Sequence, residues 1–97
     1  MNTFGDKIRE QREKKGMLLR ELAAKIDVDT ALLSKVERGE RSMKKQKVAE
    51  IAKTLGLKTN DLITYWMADK IYDIVEDDQN ALRAISVAEE QIKYNKS

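Results

Sequence analysis

No cysteine and no histidine occur among the 97 residues. The first absence excludes disulfides, thiolate nucleophiles and cysteine-held metals. The second removes the commonest general base and the commonest metal ligand. Proline is missing as well, glycine occurs 4 times and aromatics make up 5% of the chain. Strands and tight turns therefore lack their usual punctuation, and an all-α protein is expected. No apolar run reaches the length of a membrane span or a signal peptide, so the expectation is a soluble, cytoplasmic protein with no membrane partner. Carboxylates, lysines and tyrosines are what remains for chemistry. The acids Asp73, Glu76, Asp77 and Asp78 fall at an expected helix end, where such runs ordinarily cap helices. No catalysis, metal, cofactor or small-molecule ligand is expected from them.

What is present is charge and helical periodicity. Charged residues make up 37% of the chain and apolar ones 41%, the latter recurring at one-face helical spacing, which argues against disorder. A chain of this length forms one compact domain with a small extension, and a core of that size makes oligomerisation a reasonable expectation. The formal net charge of +2 conceals an asymmetry, with residues 1–58 carrying +6 and residues 59–97 carrying −4. A polyanion is expected to approach the first part only.

Six helices can be read from the pattern. Thr3 caps the first, with Asp6 as its capping-box partner; Phe4 and Ile8 give it an apolar edge, and it runs through Arg12 to a stop at Gly16. Leu19, Leu22, Ala23 and Ile26 mark a second helix ending at Asp27. Asp29 caps a third over residues 30–38, closed by Gly39, with Leu33 and Val36 facing inward. Val48, Ile51, Ala52 and Leu55 are the buried stripe of a fourth over residues 44–55, ended by Gly56. Thr59 or Asn60 caps a fifth helix reaching Glu76, and Asp77 or Asp78 caps a sixth over residues 79–94. Within residues 18–38, two short helices meet at a tight turn. Ala23 is small at their crossing, and Val28 can plug the space between them, so a helix-turn-helix is expected.

Here the sequence resembles the Xre/phage-repressor family of helix-turn-helix regulators. The resemblance is carried by Arg12 and Gly16, by Glu21-Leu22-Ala23, by Val28 and by the run from Leu33 through Ser34-Lys35-Val36-Glu37-Arg38 to Gly39. Val48, Ile51-Ala52 and Leu55 continue it, over roughly residues 4–63. It implies a five-helix domain, residues 1–63, that binds a pseudo-palindromic double-stranded operator as a homodimer. Thr30, Ala31, Ser34 and Lys35 match the start and outer face of the recognition helix. Lys35 can donate to guanine O6 and N7, the Thr30 and Ala31 methyls can meet a thymine methyl, and Ser34 can adapt. Arg38, Arg41, Lys44 and Lys45 would follow the phosphates; the two lysines sit at a helix N-terminus, where positive charge is unfavourable unless an anion joins it. Arg12 and Glu37 match positions that pair structurally in the family. Two departures stand out. Leu18 and Leu19 replace the family's hydroxyl residue and glutamine, removing a helix cap and a phosphate contact, and Met43 and Lys44 replace its proline and serine.

Residues 64–97 form a helical extension. Leu62, Ile63, Trp66, Met67, Ile71, Ile74 and Val75 make a stripe wider than one partner helix needs, and Ala81, Ile85, Ala88 and Ile92 form a seam suited to helix packing. Both helices can fold back on their own core, or Trp66, Met67, Ile71, Ile74, Ile85 and Ile92 can form a dimer interface, the reading favoured here. The stretch 62–75 also resembles small controllers found beside DNA methyltransferase genes. A different class stays open, because a helix-turn-helix without its glutamine can serve as a protein-interaction module or antitoxin.

Overall fold

The computed structural model describes residues 3–96, the side chain of Thr3 excepted, so the cap expected of Thr3 lies outside the described residues. The described chain is all-helical: α1 (Thr3–Lys14), α2 (Leu19–Lys25), α3 (Thr30–Glu37), α4 (Lys45–Leu55), α5 (Thr59–Val75) and α6 (Ala81–Lys96). The apolar positions read from the sequence converge on one core. Phe4 and Ile8 of α1, Leu22, Ala23 and Ile26 around α2, and Leu33 and Val36 of α3 meet Val48, Ile51, Ala52 and Leu55 of α4, with Leu62 of α5 closing the far side. Burying each of the larger aliphatic side chains contributes about 1.5–3 kcal/mol. Met43, in the loop before α4, joins this core.

Side chains from neighbouring helices satisfy helix ends that would otherwise be left with free backbone groups. Asp69 of α5 accepts from the Phe4 N–H at the start of α1 (3.1 Å). Gln11 donates to the Leu55 carbonyl at the end of α4 (3.0 Å), and Lys47 to that of Ile26 just after α2 (2.6 Å). None of these three ties follows from apolar periodicity.

Several helix ends differ from the sequence reading. The first helix does stop at Gly16, its last helical residue being Lys14, and the left-handed glycine (φ 65°) lets the Met17 N–H reach back to the Arg12 carbonyl. The second stops at Lys25, and Asp27 lies in the turn at φ 55°, a conformation that aspartate tolerates better than most residues. The fifth is capped at Lys58, without a side-chain bond, and ends one residue before Glu76. The sixth begins at Ala81, because Asp78 Oδ1 accepts from the Asn80 N–H (2.8 Å) and holds residues 78–80 in a turn.

At the start of α2, Leu18 is the cap residue but has no side-chain acceptor. Only the reverse half of a capping box is made, the Leu18 N–H donating to Glu21 Oε1 at 2.8 Å. Leu18 is 48% exposed and lies outside the core, so a polar replacement disturbs little packing. Leu18→Ser should complete the box and raise the unfolding free energy by about 1 kcal/mol in urea titration.

The chain after residue 63 does not form a separate compact body. α5 runs through that point without a break, its first half on the core and its second half largely exposed, and α6 buries none of its residues.

Candidate nucleic-acid interface

The helix-turn-helix is α2, the turn through Asp27 and Val28, and α3. Asp29 caps α3, its Oδ1 accepting from the Ala31 N–H at 2.7 Å. Leu33 and Val36 are buried on the inner face. That fixes the rotation of α3, leaving Thr30, Ala31 and Lys35 exposed on the outer face, with Ser34 half-buried beside them. The helix closes at Gly39 (φ 78°), a left-handed position that lets the Glu40 N–H reach the Lys35 carbonyl at 2.8 Å.

Arg12 and Glu37 lock this helix to α1. Arg12 Nε and Nη2 fork onto Glu37 Oε2 and Oε1 at 2.8 and 3.0 Å, while Nη1 donates to the Met17 carbonyl at 2.9 Å. The two side chains are 12% and 5% exposed. The hydrogen bond to Glu37 raises the Arg12 pKa above its ordinary value, against the opposing effect of burial.

The basic residues after α3 divide into two kinds. Arg41, Lys44 and Lys45 are exposed, with Lys44 capping α4 through its backbone alone and Lys45 opening the helix. Arg38 is engaged within the chain. Its Nε donates to Glu40 Oε2 at 2.6 Å and its Nη1 to Ser34 Oγ at 2.6 Å. The same bond to Arg38 holds the Glu40 carboxyl below its usual range, with Lys35 adding a smaller pull. Glu40 leaves no mark in the helical pattern because it lies outside α3; the turn at Gly39 brings it back beside Arg38.

Of the residues read as a dimer face, Trp66 is turned into its own chain. Its Nε1 donates to the Met43 carbonyl at 2.8 Å, Lys70 sits 4.6 Å over its ring, and it packs on the core. Met67, Ile71, Ile74, Ile85 and Ile92 are exposed, Ile74 to 83%. Ile71, Ile85, Ala88 and Ile92 line an apolar groove between α5 and α6, bordered by Glu89, Lys93 and Lys96. Among the described residues, no helix is long and apolar enough to cross a membrane, and no cluster of three or more acidic residues could hold a metal ion.

An exposed, capped second helix, held at a fixed angle by a first one anchored in the core through Leu22 and Ala23, is the arrangement of DNA-binding regulators of the helix-turn-helix class. Residues 8–62 match the helix-turn-helix family, and the chain belongs to that family, in its Xre-type branch. Among its relatives, the control protein C.BamHI of Bacillus amyloliquefaciens is 33% identical over 63 residues, covering 64% of this chain and 78% of that protein. Two crystal structures of the clp gene regulator ClgR of Corynebacterium glutamicum are similar. One has a TM-score of 0.59 at 30% identity, covering 69% of this chain and 87% of the other. The second has a TM-score of 0.61 at 26% identity and covers 88% and 90%.

Proposed function

We propose that this regulator binds a pseudo-palindromic operator as a homodimer, Thr30, Ala31, Ser34 and Lys35 reading base edges while Arg41, Lys44 and Lys45 follow the phosphates. The observation that carries the reading is the outer face of α3, exposed along Thr30, Ala31 and Lys35 while Leu33 and Val36 anchor its inner face. Lys35 has the length and donors for guanine O6 and N7, and the neighbouring methyls suit thymine. The first N–H groups of α4 lie beside Lys44 and Lys45, an arrangement that favours a phosphate. The likeness to a protein named as a control protein supports a controller role of the kind found in restriction–modification systems.

The dimer reading is supported by α6. A 16-residue helix is marginal in water on its own, and no residue of this one is fully buried within its chain. Apposition of the groove along Ile71, Ile85, Ala88 and Ile92 on a second copy would remove that apolar surface from water and give one particle two recognition helices.

The test is salt-dependent binding to a random-sequence duplex. Wild type should bind tightly at low salt. Lys44→Ala with Lys45→Ala should flatten the slope of log K against log salt by about 0.9 per charge removed. No affinity for DNA at low salt would exclude the operator reading and leave the protein-interaction role.

A further inference from the structure

Ser34, Arg38 and Glu40 form a chain of contacts on the outer side of α3. A serine hydroxyl has one proton to give and two lone pairs to receive with, whereas a guanidinium only donates. Thr54 and Thr64 turn their hydroxyl protons to the carbonyls of Glu50 and Asn60, each at 2.8 Å. Ser34 behaves differently, its oxygen accepting from Arg38 Nη1 at 2.6 Å. Its proton must therefore point away from the guanidinium. Glu40 grips the opposite edge of that guanidinium, with Oε2 2.6 Å from Nε and Oε1 3.5 Å from Nη2. An unpaired arginine beside DNA would be drawn to the phosphates; Glu40 supplies a carboxylate in their place.

We propose that Arg38 is a positioning residue that fixes Ser34 as a hydrogen-bond donor to the base edge, with Glu40 holding Arg38 in that pose. The inference rests on the operator-reading role proposed above and narrows it. A hydroxyl fixed as a donor selects acceptors in the major groove, namely guanine O6 or N7, adenine N7 or thymine O4. Cytosine N4, which only donates, could use just the one lone pair that Arg38 leaves, so acceptors are favoured over it. Arg38 in this arrangement shapes base preference while contributing little to the phosphate contacts.

The experiment uses the full chain and two probes: duplexes enriched by wild type from a fully randomised pool, and a random duplex of equal length. Ser34→Ala, Arg38→Ala, their double variant and Glu40→Gln are compared, with thermal melts checking that each stays folded. Ser34→Ala and Arg38→Ala should each reduce discrimination at the same base pair of the half-site by about 3- to 10-fold, the worth of one hydrogen bond, and the double variant should lose no more than either alone. Glu40→Gln should blur that same position and tighten binding to the random duplex. Losses that multiply in the double variant would overturn the proposal. So would an Arg38→Ala protein with intact base preference and a salt slope smaller by about 0.9, the mark of a phosphate contact. If wild type enriches no sequence at all, the operator reading itself fails.

Discussion

Replacing Glu37 with leucine should lower the unfolding free energy by about 3–5 kcal/mol, because it leaves Arg12 charged and nearly buried without its partner. A domain of this size has only about 5–15 kcal/mol of stability in all. The variant should therefore melt far below the wild type, and much of it should be unfolded at moderate urea. Arg12→Met should also destabilise, by taking the guanidinium fork from the Glu37 carboxylate and the donor from the Met17 carbonyl just after α1. The informative protein is the double variant, Arg12→Met with Glu37→Leu. With no unpaired charge left inside, it should recover most of the loss. A double variant as unstable as the sum of the two singles would mean that the pair contributes by other means than mutual neutralisation. Urea unfolding of the four proteins closes the cycle.

Putting charge into the groove between α5 and α6 should have the second large effect, this time on binding. Ile85 and Ile92 are exposed and take no part in the core, so Ile85→Glu with Ile92→Glu should leave the helix-turn-helix folded and its thermal melt nearly unchanged. If the groove is where two copies meet, two buried glutamates per chain should hold the protein monomeric in sedimentation velocity. Affinity for a two-half-site duplex should then fall by about 10²- to 10⁴-fold, since the second half-site contact would no longer be intramolecular. Affinity for an isolated half-site should change little. A variant that stays dimeric would move the interface elsewhere on the chain.

The helical core was legible because it depends on periodicity. Leu22, Ala23, Ile26, Leu33, Val36, Val48, Ile51, Ala52 and Leu55 each fall where a 3.6-residue period puts them on the buried face. The outer face of α3 was legible for the same reason, once its inner pair was known. What the pattern hid were contacts made by polar side chains across long sequence separations. Lys47 reaching the Ile26 carbonyl, Asp69 reaching the Phe4 N–H and Trp66 reaching the Met43 carbonyl all depend on how helices cross. Trp66 shows the consequence. Its size and position suggest an interface residue, yet the indole N–H has a partner at home and the ring follows it. Glu40 was hidden by a turn, since pairing two residues apart requires the left-handed Gly39 between them.

Helix ends were the least legible feature, again for physical reasons. Leu18, Lys44 and Lys58 make no side-chain cap bond, and a cap residue without a side-chain acceptor leaves no mark in the sequence.

Selection of bound fragments from a randomised duplex pool, using the full chain, tests the central claim most directly. The expected product is an inverted repeat whose half-site centres lie about 34–36 Å apart, with the strongest preference at the bases facing Lys35 and Ser34. A pool that emerges unenriched, with no salt-dependent retention of duplex at any step, would contradict it.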